Sequence, residues 1–269
     1  MKKNEWYVIS ILLIFQVILV SGIVVYRQVV TPTMPNSKQG NIEVENSLDN
    51  KEVDNTSMVT FIDDDGRKEL ITKMVPIFES KNVPLTCAIV KKFAENPGSD
   101  FVGLDNLKKL HASGKFELVP HTVTHPHLTE LTDNEILKEL TISKAFMRDN
   151  GFEDEFIVYP YGDVNEKVEK VSERYFELGI GTKWGLNRKP FNTYNLVRIN
   201  IHDRNLEEYK AIVDEGIAKK SWIIFMMHSF QPEWTPEYLD MLSTLIDYIK
   251  SQNIPIMKVS DAYIKLQNK

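Results

Sequence analysis

The stretch PHTVTHPHL, Pro120 to Leu128, holds three of the chain's six histidines. His121 and His125 lie four apart, a spacing that lets two imidazoles meet one ion where the segment makes a turn. Pro126 disfavours helical geometry at His125, so the turn is expected to be a compact loop. A carboxylate for the same ion is at hand in Asp63-Asp64-Asp65-Gly66. Two neutral imidazoles plus one carboxylate, with positions left open for water, describe a catalytic divalent-metal site. His127, beyond the proline, reads as a supporting or solvent-facing residue.

Both segments follow short apolar runs, and two more such runs end in the same way. MVTFI leads into the acidic triplet and FELVP into the histidines; FIVYP ends in Tyr161-Gly162 and WIIFMM in His228. An acidic triplet alone is usually a solvated turn, and one histidine after a strand is usually structural. Four polar strand ends converging on one rim carry more weight.

The elements that must position them alternate. MVTFI precedes a helical pattern with Leu70, Met74, Ile77 and Phe78 on one face. PLTCAIV, a helical LDNLKKLHASG, and FELVP follow. LTDNEILKEL carries a capping box, Thr132 with Glu135, before Ile136, Leu140 and Met147. FIVYP, LGIGT and LVRIN read as further strands. WIIFMMH precedes a helix with Thr235 as N-cap and Pro236 at its first position, burying Leu242, Leu245, Ile246 and Ile249. IPIMKVS reads as a final strand. Near-continuous apolar strands alternating with helices imply an α/β fold with a parallel sheet. Seven or eight strands in about 210 residues favour a barrel, in which chemistry collects at the C-terminal strand ends.

Composition narrows the function classes. A formal charge of −6 offers nucleic acid no electrostatic attraction. The single cysteine, Cys87, excludes an internal disulfide framework and a four-thiolate zinc site, and it reads as a buried strand residue. Trp6 to Tyr26 is a run of 21 residues without charge, long enough to span a membrane as a helix. Lys2 and Lys3 precede it, which leaves the N-terminus cytoplasmic and the rest outside. A cleaved signal peptide would carry a shorter apolar region and a small-residue cleavage site. The expected organisation is a cytoplasmic tip and anchor over 1–27, a polar, flexible linker over 28–56 and a catalytic body over 57–269.

The segments TFIDDDG, HTVTH, YPYG and IIFMMH, in this order, resemble the motifs of the polysaccharide deacetylases, carbohydrate esterase family 4. The resemblance covers roughly 57 to 265. It implies a distorted (β/α)7 barrel and metal-dependent removal of N-acetyl groups from a glycan. The ion would be zinc, with cobalt or nickel as alternatives, held by His121, His125 and one aspartate. Counting back from Gly66, which matches the family's glycine, makes Asp64 the base and Asp65 the ligand. Counting forward from Phe61-Ile62 makes them Asp63 and Asp64. The spacing from Gly66 to the next strand favours the first register. By the same resemblance His228 protonates the departing amine, and the backbone N–H of Tyr161 holds the oxyanion. Trp184 and Tyr159 are candidates to stack on sugar faces or, as readily, to pack in the core or rim. An anchored, outward-facing enzyme meets peptidoglycan or an exported aminosugar polymer first. O-deacetylation is a sister reading, and a carbohydrate-binding pseudoenzyme of the same fold is the reading from another class.

Two family groups are missing. No Arg stands shortly before Pro160-Tyr161-Gly162, where the stretch reads Val158-Tyr159, and Ile180 stands four before Trp184 where an acidic residue is usual. A buried catalytic carboxylate needs some partner to hold it. Read with period two, LVRINI puts Val197, Ile199 and Ile201 on one face and Arg198 with Asn200 on the other. If the apolar face packs against helices, Arg198 turns into the barrel mouth, where its guanidinium can pair with an aspartate; an edge-strand Arg in solvent is the other reading.

Overall fold

The computed structural model describes residues 57–267, so the expected anchor over 6–26 and linker over 28–56 lie outside the described residues. Among the described residues seven strands run in the order β1 (Met58–Asp63), β2 (Leu85–Ile89), β3 (Phe116–Pro120), β4 (Phe156–Val158), β5 (Leu178–Ile180), β6 (Ile199–Asn200) and β7 (Trp222–Met227). All ladders are parallel: β3-β2-β1-β7-β6 form one sheet and β4-β5 a second. A parallel bridge from Ile180 to Leu196 leads from β5 toward β6. The strands therefore follow one another cyclically, with the backbone ladder open between β3 and β4.

Alternation along the strands sorts their side chains into two cores. Met58, Ile62, Ala88, Val119, Phe156, Val158, Leu178, Ile180, Trp222 and Ile224 meet in one cluster, so residues from six strands share an interior. Their neighbours Val59, Phe61, Cys87, Leu118, Ile199, Phe225 and Met227 pack outward against helices. Burial on both sides is why these strands read as unbroken apolar runs.

The helices are α1 (Val75–Lys81), α2 (Lys91–Glu95), α3 (Leu104–Ala112), α4 (Asp133–Asp149), α5 (Glu166–Ser172), α6 (Leu206–Ala218), α7 (Pro236–Ser251) and α8 (Val259–Gln267). A π-helical turn over Leu70–Met74 precedes α1, and Leu70, Met74 and Phe78 are buried there as the spacing predicts. The capping box of Thr132 and Glu135 opens α4. At α7 the N-cap is Thr235, which accepts from the Tyr238 N–H with Pro236 next to it.

One expected strand is absent. Of IPIMKVS, only Ile256 bridges to Val59, and the chain then turns into α8. The cause is a buried carboxylate: Glu117 of β3 accepts from Val259 N at 2.8 Å, Ser260 N at 3.0 Å and Thr86 Oγ1 at 2.6 Å. Those two backbone donors are the free N–H groups of a helix start, satisfied by a residue from another element. Val259 and Ala262 of α8 join the interior cluster.

Candidate active site

Asp63, Asp64 and Asp65 end β1 and part in three directions. Asp63 is fully buried; its Oδ1 accepts from Ser229 N at 2.8 Å, while Oδ2 has no hydrogen-bond partner. Burial, then the neighbouring Asp64 charge, raise its pKa well above the usual carboxylate range. Asp64 points the other way, accepting from Arg198 Nη1 at 2.9 Å with Oδ2 3.9 Å from His228 Nε2. Asp65 turns with φ 80, and its Oδ1 lies 3.5 Å from His121 Nε2 and 3.1 Å from His125 Nε2. The geometry thus brings Asp65 to the two histidines and Asp64 to Arg198 and His228, with Asp63 braced against the turn after β7.

The histidines are held by two kinds of contact. His121, buried at the end of β3, donates from Nδ1 to Val158 O of β4 at 2.7 Å, across the open ladder. That bond fixes the tautomer and leaves the Nε2 lone pair toward Asp65. The loop to His125 is tight: Thr122 has φ 68 and His125 φ 63, and the His125 N–H donates to Thr122 Oγ1 at 3.1 Å. Glu139 of α4 clamps this loop, accepting from Val123 N at 2.8 Å, Thr124 N at 2.9 Å and Thr124 Oγ1 at 2.7 Å. Nothing in the helical periodicity marks Glu139, because its role comes from a loop it meets only on folding.

The donor set fits a divalent ion. Ligand atoms of Asp65, His121 and His125 all lie within 4.8 Å of one another. Asp65 Oδ1 is buried without a well-formed hydrogen bond while two imidazole nitrogens face it. Burial raises the pKa of Asp65, but the facing His121 and His125 outweigh it and hold the carboxyl far below its ordinary range. Burial lowers that of His121, and Asp65 and Asp64 overcome it to give a net rise.

Arg198 is buried, as the two-faced reading of LVRINI requires, and β6 carries Ile199 outward. Its Nε donates to Gly181 O at 2.6 Å and its Nη1 to Asp64. A guanidinium thus reaches Asp64 without the family's usual Arg. His228, at the end of β7, has a pKa lowered chiefly by burial, against the nearby Asp64 and Asp65 charges. Its Nδ1 is buried with no hydrogen-bond partner.

Tyr161 lies at the rim, 55% exposed and with φ 57, an uncommon conformation for a bulky residue. Its ring meets His125 edge-on at 4.5 Å and stacks on His127 at 4.0 Å. His127 is solvent-facing and its Nδ1 lies 2.6 Å from Asp163 Oδ2. Gly162 has φ 70, and a Cβ there would overlap the Thr182 side chain. Trp184 is 56% exposed and available to a ligand. Tyr159 is not: it is fully buried, with its hydroxyl donating to Tyr194 O at 3.1 Å. Of the two roles open to Tyr159, sugar stacking is ruled out and core packing holds, because the alternation along β4 turns it into the cluster under α5.

The chain and its parallel α/β fold resemble known proteins. The polysaccharide deacetylase family model matches residues 49–176. A chitin deacetylase of Amylomyces rouxii is 23% identical over 145 residues, which is 51% of this chain and 34% of that protein. The chain thus spans about a third of the length of the curated relative it matches. The carbohydrate esterase domain of a multidomain xylanase from the hindgut metagenome of Trinervitermes trinervoides superposes with a TM-score of 0.57 at 20% identity, over 78% of this chain and 91% of that one. A peptidoglycan N-acetylglucosamine deacetylase does so with a TM-score of 0.54 at 18% identity, over 76% and 87%. These superpositions show the shared fold. The family model and the curated relative, with the shared fold, support a polysaccharide deacetylase of carbohydrate esterase family 4, a family of hydrolases acting on amide bonds.

Proposed function

We propose that this protein is a metal-dependent deacetylase that removes N-acetyl groups from a cell-surface glycan, either peptidoglycan or an exported aminosugar polymer. The observation that carries the reading is the placement of Asp64. It sits between a guanidinium and the His228 imidazole, one residue from the Asp65, His121 and His125 cluster.

Asp65, His121 and His125 would hold the ion. When bound, it supplies Lewis-acid polarisation of the acetyl carbonyl and makes water acidic enough to react near neutral pH. Asp64 takes the proton of the attacking water as the new C–O bond forms. Arg198 holds and aims Asp64 through the 2.9 Å contact, and is a positioning residue. The Tyr161 N–H donates to the oxyanion that develops on the carbonyl oxygen. His228 gives its proton to the amine nitrogen as the C–N bond breaks, so acetate and a free amine leave. Each such proton transfer contributes on the order of 10²–10⁴-fold.

We also propose a single-pass anchor over residues 6–26, which would hold the body outside the cell where such polymers lie. The deciding experiment measures acetate release from acetylated chito-oligosaccharides, with and without added zinc or cobalt. Metal-stimulated release is expected. Retained metal and sugar binding without any release would replace this reading with the carbohydrate-binding one. Release only from O-acetylated glycans would move it to O-deacetylation.

A further inference from the structure

Arg67 follows the DDDG turn directly, and two rings hold its guanidinium. Its Cζ lies 4.6 Å from the Phe101 ring centroid and 4.7 Å from that of Phe230. Both rings run on into the catalytic rim. Phe230 meets His228 edge-on at 5.9 Å; Phe101 stacks on Phe93 at 4.1 Å, and Phe93 lies 6.3 Å from His125. The backbone is pinned as well, since Arg67 bridges to Phe101 and Val102 N donates to Gly66 O at 2.8 Å. The side chain is therefore a fixed part of the wall on the Phe93 side of the site.

Among the described residues no carboxylate forms an ion pair with Arg67, and its Nε is buried without a hydrogen bond. This is unusual in an acidic chain of 38 carboxylate residues against 32 cations, with three aspartates immediately before it. With rings on the guanidinium, the direction left for interaction is its N–H edge, and that planar fork matches two oxygens of one anionic group.

We propose that Arg67 recognises an oxyanion substituent of the glycan, a carboxylate or a phosphate ester, close to the acetylated sugar. The preferred substrate class is then an anionic aminosugar polymer rather than a neutral one. This rests on the deacetylase reading for the substrate that occupies the rim, and makes Arg67 a specificity-determining residue.

The test compares three oligosaccharide series on the full chain: neutral N-acetylglucosamine oligomers, the same backbone with lactyl-ether carboxylates, and the same backbone with phosphate esters. For the parent, kcat/KM should favour at least one anionic series, with the difference mainly in KM, and which series wins identifies the oxyanion. Arg67→Ala should reduce that preference by roughly 10- to 100-fold, the weight of a hydrogen bond to a charged group. Arg67→Glu should invert it, and Arg67→Lys should keep part of it. Thermal melting and metal content checked in parallel show that each variant is folded and loaded. A parent without preference, or an Arg67→Ala loss equal for all three series in a folded protein, would overturn the proposal. If the parent cleaves none of them, calorimetric binding of the same oligosaccharides replaces kcat/KM. An anionic preference in binding that Arg67→Ala removes would uphold Arg67 while the deacetylase reading fails. No such preference in binding would sink both.

Discussion

Arg198 and Asp64 stand 134 residues apart in the chain and form an ion pair of 2.9 Å, with side chains 0% and 3% exposed. A pair this buried is stabilised only while both members are present, because a lone buried charge keeps its full desolvation cost. Arg198→Ala is therefore expected to lower turnover by about 10²-fold or more, the order associated with misplacing a proton-transfer group. Metal content should stay at the parent level. Arg198→Lys, which restores charge but not the fork that also serves Gly181 O, should recover part of the rate. Parent-like kinetics in Arg198→Ala would remove it as the positioning partner of the base.

The three aspartates should separate by assay. Asp64→Asn is expected to abolish turnover with the metal still bound. Asp65→Asn should lose the metal, as should the double change of His121→Ala with His125→Ala. Metal analysis after dialysis against a chelator and readdition measures both. Normal metal content in Asp65→Asn would shift the ligand role to Asp64.

His228 predicts a pH effect. A general acid must carry its proton, and burial lowers the pKa of this imidazole from its ordinary value. The proton is then lost at a lower pH, so the alkaline limb of kcat should begin below the pH at which an exposed histidine would place it. His228→Ala should remove that limb and cost on the order of 10²–10⁴-fold in rate. A limb that persists unchanged in the variant would assign it to another group.

Glu117 offers a stability prediction away from the chemistry. Glu117→Ala leaves the Ser260 N–H and the Thr86 hydroxyl without their acceptor, and the Val259 N–H with only its longer 3.3 Å contact to Thr86 Oγ1. Unpaired buried donors cost about 1–3 kcal/mol each, less what water entering the space recovers. A loss of roughly 2–4 kcal/mol is expected, read as a lower midpoint in denaturant titration. An unchanged midpoint would mean that α8 docks by its apolar side chains alone.

The anchor proposal is tested by fractionation. The full chain should remain with membranes, and its body should be open to protease added outside intact cells. A shortened, soluble form in the medium would show that residues 6–26 are cleaved off instead.

The sequence by itself determined what depends on neighbours along the chain. Apolar runs and the 3.6-residue period marked the strands β1 to β7 and the helices α1, α3, α4 and α7, because burial of one or both faces is written into each segment. The Thr132–Glu135 box and the Thr235–Pro236 start were legible because a cap is satisfied within four residues. His121 and His125 pointed to a metal for the same reason, their spacing being set by one short loop. Arg198 was reachable from strand alternation, which says which face a residue takes but not what it meets there. Only the tertiary structure decided the partners. It sent Asp63 to Ser229, Asp64 to Arg198 and Asp65 to the histidines, a division that depends on where β3, β6 and β7 end beside β1. It also made a helix of the segment after Ile256, whose N–H acceptor Glu117 lies 142 residues away. It buried Tyr159, set Glu139 under the histidine loop and closed Phe101 and Phe230 over Arg67. Each of these joins residues far apart in sequence, and such contacts form only when the chain has closed on itself. Local periodicity carries no record of them.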